Sequence, residues 1–406
     1  MPKTLGGCDA WLIGVAAMLG AGVFAVFGPA FGLVGNWLWV SVLLAGAVAT
    51  LNAISVSWLA RRYPASGAGY RYSNEVLGPA AGFLTGSAFL IGKSASVAAA
   101  ALVIAGAFDS RFAVPISIAI IALALLLNLF GITATARGVR FLAIPTLLIL
   151  LSLLLAALFG LAGQPDVLPA INAAPDATSL LGAAGLLFFA FAGYARIATL
   201  AGEVGQPVRT VPRSMLMALF TVLLVYLAIA LLLPAMLGSA LAEKSNALLA
   251  LALELDGPWP LLVRVAVLLA AGASLLVLLV ALSRTSEVMA LDRQLPRSLS
   301  QRSRFGSPWL AELSFGLLAA AIAISGQTVF AISVSAGLVL IYYGFAHLAV
   351  LRQTRSWFFR LVAAIGLVSC VSVSASLNPQ SVVFALAALA LALLVRSLIA
   401  KFRGLG

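Results

Sequence analysis

Apolar residues run along this chain in long stretches, separated by short polar intervals. Ile116–Leu129, Leu142–Leu158 and Val382–Val395 each carry very few polar side chains. A run of about 20 apolar residues is what a helix needs to cross the hydrocarbon core of a bilayer. The alternating segments of about ten residues that build a membrane β-barrel are not the pattern here. Reading the runs in order predicts an all-α integral membrane protein with twelve transmembrane helices. They fall at 10–32, 37–59, 80–107, 113–131, 141–162, 179–200, 214–236, 260–283, 309–325, 328–349, 358–375 and 381–399. The intervals between them are too short for a soluble domain. The first run extends past Phe31 behind a single Lys, which fits a retained span better than a cleaved signal peptide.

Composition agrees with the pattern. Hydrophobic residues make up 63% of the 406 and charged residues only 9%, with a mean hydropathy of +1.15. A soluble chain carries about 25% charged residues. The formal charge of +12, from 24 Lys and Arg against 12 Asp and Glu, would suggest nucleic acid in a soluble protein. Its placement gives a different reason. With the N-terminus inside, nineteen of the bases fall at the cytoplasmic ends and loops, among them Arg61, Arg62, Arg71, Arg284, Arg302 and Arg352. Arg111, Lys244 and Arg264 are the bases on the other side. Cytoplasmic loops collect Lys and Arg, so the surplus is a topology signal. It sets both termini inside, in a bacterial plasma (inner) membrane, and removes the case for a nucleic-acid partner. Cys8 and Cys370 form no metal-ligand spacing, and no metal or cofactor is expected.

Two spans carry glycine interruptions. The first holds Met18-Leu19-Gly20-Ala21-Gly22-Val23-Phe24, and the sixth holds Phe188-Phe189-Ala190-Phe191-Ala192-Gly193-Tyr194. Any one of these glycines fits close helix packing. The pair carries more. Spans 1 and 6 are five apart, so spans 1–5 and 6–10 run in opposite orientations, as in an inverted repeat. Interrupted spans at matching places in two such halves are the sequence pointer to a transporter's binding site. Unwound N–H groups suit a carboxylate and unwound carbonyls suit an ammonium group, a combination that fits an amino acid. The candidate substrate-binding residues are Gly20, Ala21, Gly22, Val23, Phe189, Ala190, Phe191, Ala192 and Gly193, with Lys93.

These segments and three others resemble the amino acid–polyamine–organocation permease superfamily. Gly20-Ala21-Gly22-Val23-Phe24 is similar to its G-x-G-[IV]-F segment. Arg61-Arg62-Tyr63-Pro64-Ala65-Ser66-Gly67-Ala68-Gly69-Tyr70 is similar to the loop after its second span. The stretch from Glu203 through Pro207, Arg209 and Pro212 to Arg213 is similar to E-x-x-x-P-x-R-[TN]-[IV]-P-[RK]. Ser283-Arg284, followed by Asp292 and Leu295-Pro296, is similar to its motif after span 8. The resemblance covers essentially the whole chain. It implies the leucine-transporter fold: two five-helix inverted repeats at about 9–162 and 178–349, broken helices 1 and 6, and peripheral helices 11 and 12 at about 358–400. It implies alternating-access transport of amino acids or related amines, and Leu19–Phe27 is also similar to the superfamily's neutral amino acid exporters. Three positions depart from the family pattern. Ala195 and Arg196 stand where a Glu is frequent, Phe189 stands where a gating Trp is frequent, and span 5 has no Lys.

Charges inside the spans are the remaining candidates. Lys93 lies near the middle of span 3, where a charge costs at least about 2.5 kcal/mol to insert. It is read either as a structural Lys bonded to carbonyls or as a substrate or coupling group replacing the absent span 5 Lys. Arg196 is read as a snorkelling side chain, or as a gate paired with Glu203 or Glu287. Phe189 and Tyr194 are candidate gates beside the second break. His347, the sole His, is read as structural or interfacial. Span 8 lacks an adjacent Ser/Thr pair near its middle, so a sodium site of the leucine-transporter type is not indicated, and proton coupling or exchange is expected. No midplane carboxylate is expected, which favours neutral amino acids over cationic amino acids or polyamines. A membrane enzyme is disfavoured by the scarcity of His, Cys and carboxylates within the spans. A channel or scaffold is the remaining rival class.

Overall fold

The computed structural model describes residues 6–63, 68–130, 136–161, 174–199 and 206–403. Glu203, and Pro64 to Gly67 of the second quoted motif, lie outside them. The described residues form seventeen α-helices with three short 3-10 turns and no strand. The first part of the chain gives α1 (Gly7–Met18), α2 (Gly22–Ala25), α3 (Phe27–Val34), α4 (Leu38–Arg62), α5 (Ala68–Leu77), α6 (Pro79–Phe108), α7 (Ala113–Leu129) and α8 (Ala136–Leu161). Then come α9 (Ala177–Phe191), α10 (Arg196–Thr199), α11 (Pro207–Leu237), α12 (Ala247–Leu253) and α13 (Trp259–Leu291). The last four are α14 (Trp309–Ala323), α15 (Thr328–Gln353), α16 (Trp357–Ala375) and α17 (Pro379–Arg403).

Eight stretches are helical, long enough and apolar enough to cross a membrane. Four shorter apolar stretches, Ala113–Leu129, Ile144–Gly160, Ala177–Phe191 and Trp309–Ala323, overlap the other segments expected from the pattern. The chain is a multi-pass membrane protein.

Helix α6 is the central post, packed mainly against α13 and α15. Of its most apolar 18 residues, 83% are buried, against 28% in α16 and 17% in Pro379–Ser397 of α17. The last two helices are therefore peripheral. Lipid is as apolar as a leucine side chain, so helices gain little by hiding apolar surface from it. Close contact between small residues and interhelical hydrogen bonds hold them together instead. In α6, Ala95, Ala98, Ala99 and Ala101 are all fully buried, and Ser96 Oγ bonds Ser335 Oγ of α15 at 2.6 Å. Long side chains such as Leu123, Leu148, Leu155 and Phe159 face outward, as a lipid-facing surface requires.

His347 joins three helices. One ring nitrogen, Nε2, lies 2.7 Å from Asn52 Oδ1 of α4. The other, Nδ1, lies 2.9 Å from Ser55 Oγ. Asn52 Oδ1 can only accept, so Nε2 carries the proton and Nδ1 takes the Ser55 hydroxyl proton. Cys370 of α16 donates to the same Asn52 oxygen at 3.3 Å. Both ring nitrogens are satisfied in the fully buried interior, which matches the structural reading of this residue.

Candidate functional site

Both glycine-bearing segments are breaks. After Met18 the Leu19 N–H still donates to Val15 O at 2.9 Å. Leu19, with ψ at 37°, then leaves helical geometry, and α2 starts afresh at Gly22. The N–H groups of Gly20, Ala21, Gly22 and Val23 donate to no backbone carbonyl among the described residues. In the sixth expected span, α9 stops at Phe191, residues 192–195 form turns, and α10 begins at Arg196. Here tighter bonds take over: Ala192 N–H to Phe189 O at 3.4 Å and Arg196 N–H to Gly193 O at 3.1 Å.

The breaks interlock. A Cβ on Gly22 would stand 2.6 Å from Ala190 Cα. A Cβ on Gly193 would run into the Ala17 carbonyl and Met18 N. Each break thus places its glycine on the backbone of the other, at an approach no side chain allows. Gly20 faces a third element, the Ser274 hydroxyl of α13. Ala21, Val23, Ala190 and Phe191 are buried around this contact. Unwound backbone in a membrane protein is tolerated only where protein encloses it, and that is its setting here.

The aromatic side chains at the second break divide between two partners. Phe188 and Tyr194 both pack on Tyr343 of α15, edge-on at 6.1 Å and stacked at 5.7 Å. Phe191 packs edge-on against Tyr226 of α11 at 4.9 Å. Phe189 is only partly buried. Tyr226 and Tyr343 were missed in the sequence, where Tyr226 is one aromatic residue in an apolar run and Tyr343 is one of several aromatic residues at 342–345.

Arg196 is half-buried and lines a narrow cleft between the first break and two other helices. Its neighbours there include Ala17 and Leu19, Thr146 of α8 and Ser274 of α13. The free volume is about 20 Å³, on the scale of one water molecule rather than an amino acid. Of the two carboxylates considered for Arg196, Glu287 is bonded instead to Arg302 Nε at 2.7 Å, and Glu203 lies outside the described residues. Lys93 is half-buried on α6, next to Gly92, which packs on Leu338. No hydrogen bond, ion pair or ring contact among the described residues ties Lys93 to either break.

Two of the quoted motifs meet at the far end of α13. Tyr70 Oη donates to Asp292 Oδ2 at 2.9 Å, and Arg71 Nη2 lies 3.8 Å from Asp292 Oδ1. Burial, together with the carboxylate beside it, pushes the Tyr70 phenol well above its usual pKa. Helix α5 is thereby fastened to the end of α13. Among the described residues no cluster of His, Cys, Asp and Glu could hold a metal.

An interlocked pair of helix breaks in an all-helical membrane protein, with the four motifs in order, is now matched by comparison. The profile of the family described as Amino acid permease covers residues 9–405. The chain belongs to the amino acid permease family. It is a transporter and not an enzyme. An uncharacterized transporter of Mycobacterium tuberculosis is 38% identical over 387 residues, covering 94% of this chain and 87% of the relative. The inner membrane transport protein YbaT of Escherichia coli is 27% identical, covering 76% and 74%. The branched-chain amino acid permease BcaP of Bacillus subtilis is 24% identical, covering 79% and 74%. The family resemblance read from the motifs is therefore correct.

Proposed function

We propose that this permease carries neutral amino acids across the bacterial plasma membrane by alternating access, with the substrate held at the paired breaks. The observation that carries the reading is the interlock of Gly22 on Ala190 and Gly193 on Ala17. It sets the unpaired N–H groups of residues 20–23 beside the second break. Unpaired N–H groups at a half-helix start favour a carboxylate. The apolar, aromatic surroundings favour an uncharged side chain, and BcaP, named for branched-chain amino acids, supports that preference. In this reading the chain crosses the membrane twelve times, with both termini in the cytoplasm. Spans 1–5 (about 9–162) and 6–10 (about 178–349) are inverted repeats, and the helices at 358–400 are an appendage. Gly20, Ala21, Gly22, Val23 and Phe189 to Gly193 contact substrate. Phe189, Tyr194 and Arg196 gate it. Lys93 contacts substrate or handles a coupled proton.

The test is a thermal-shift screen of purified protein against all amino acids and several polyamines, followed by counterflow in proteoliposomes with each hit. Neutral amino acids are expected to stabilise the protein and to exchange without sodium. Lys93→Ala is expected to fold but to lose proton-driven accumulation. Stabilisation by cationic amino acids or polyamines alone would overturn the substrate class, and flux that does not saturate would point to a channel.

A further inference from the structure

Tyr226 lies within α11, the helix that follows the second break, and its ring is fully buried. Two rings meet it edge-on: Phe27 of α3 at 5.7 Å and 81°, and Phe191 at the end of α9 at 4.9 Å and 69°. One of those residues follows the first break and the other precedes the second. The hydroxyl donates to Met18 O at 2.7 Å and lies 3.3 Å from Ala190 O. These two carbonyls are among those the breaks strand. In an unbroken helix Met18 O would accept from the Gly22 N–H, and Ala190 O from the Tyr194 N–H; neither bond forms. A stranded carbonyl away from water is costly, and here a single phenol answers both.

We propose that Tyr226 is a positioning residue that holds the two broken helices in register. The hydroxyl has one proton, so the shorter bond to Met18 O is the main one, and Ala190 O stays within reach of the same donor. Gly20 to Val23, whose N–H groups are the candidate substrate donors, follow Met18 with only Leu19 between. Fixing Met18 O therefore fixes where they point. Any displacement of one break against the other has to break or exchange this bond. A Phe at 226 keeps both edge-on ring contacts and removes only the hydroxyl. The effect on transport rests on the reading of the breaks as the substrate site; the effect on the breaks themselves does not.

The experiment compares wild type with Tyr226→Phe in nanodiscs and in proteoliposomes. Amide hydrogen exchange is expected to quicken together at residues 19–24 and 190–196, by about tenfold for the loss of one buried hydrogen bond. No change, or a change at one break alone, overturns the proposal. In counterflow with an amino acid found by the screen, KM is expected to rise about tenfold, with kcat held within about threefold. Lower thermal stability with unchanged KM would mean a purely structural tyrosine and would also overturn it. If the wild type moves no amino acid, the transport reading fails, and the exchange measurement still decides the clamp. Should Tyr226→Phe not be recovered folded, Phe27→Leu loosens the ring on the first-break side while leaving the hydroxyl. Faster exchange spreading to 190–196 supports the clamp, and a change confined to 19–24 overturns it.

Discussion

An added methyl group at Gly22 or Gly193 would collide, because in each case the nearest atoms belong to the backbone of the opposing break. Backbone cannot swing aside as a flexible side chain can, and overpacking of this kind costs about 1–3 kcal/mol. Gly22→Ala and Gly193→Ala are expected to lower the melting temperature and to cut counterflow more than tenfold. Gly272→Ala is the control. Gly272 sits within α13 with open space around the Cβ position, and Ala favours a helix over Gly by about 1 kcal/mol. That variant is expected to be neutral or more stable, and equal effects at all three positions would contradict the close-approach argument. The glycines could be read from the sequence because interruptions in an apolar helix are conspicuous. Tyr226 could not, since its partners, Met18 and Ala190, are 208 and 36 residues away. Backbone carbonyls as partners leave no mark in a sequence. Lys93 was equally legible as an exception to the apolar pattern, but the spacing of charges said nothing about what surrounds it.

Helix starts are set by local chemistry, and α9 shows this most directly. Asp176 is its N-cap and accepts from the Ser179 N–H at 3.3 Å, satisfying one of the four donors a helix start leaves open. Hydrogen bonding from the Ser179 side chain, and to a lesser extent from its N–H, holds the Asp176 carboxyl below its usual value of 3.8. A depressed carboxylate contributes stability above its unfolded pKa and loses it as the pH falls through the native one. The contribution is therefore complete near neutrality and fades below about pH 4. Asp176→Ala is expected to lower the melting temperature at pH 7 by a small amount and to differ less from wild type at pH 2.5. Asp176→Asn, which also caps, is expected to keep its stability in acid. An unchanged acid limb in the Asn variant would remove Asp176 as its source. Helices α6 and α16 match the expected spans to within a residue at each end, whereas α11 begins well before its expected start and α13 runs well past its expected end. The first expected span did not stay whole: the chain divides it into α1, α2 and α3. Apolar content fixes where a segment lies in the bilayer, but does not enforce helical bonding through Gly20 and Gly22.

The whole molecule is ordered around α6, with α16 and α17 outside. Its orientation in the membrane is testable with its own cysteines. Cys8 is exposed at the start of α1, whereas Cys370 is buried among α4, α15 and α16. A membrane-impermeant maleimide is expected to leave intact cells unlabelled and to modify Cys8 in inside-out vesicles, with Cys8→Ser abolishing the signal. Labelling of Cys8 in intact cells would reverse the orientation read from the Lys and Arg distribution.

By itself the sequence determined the solvent, the helical class and the family. Those depend on how many apolar residues run together, where bases collect and in what order short motifs occur, all of which are properties of neighbours along the chain. Only the tertiary structure decided that Gly22 rests on Ala190 and Gly193 on Ala17, that Tyr70 and Asp292 of two separate motifs share a bond, and that Tyr226 answers both breaks. Each of these is a contact between segments far apart in the chain. In a membrane, contacts of this kind come from close packing and the need to satisfy stranded polar groups, so they are settled only when the helices have met.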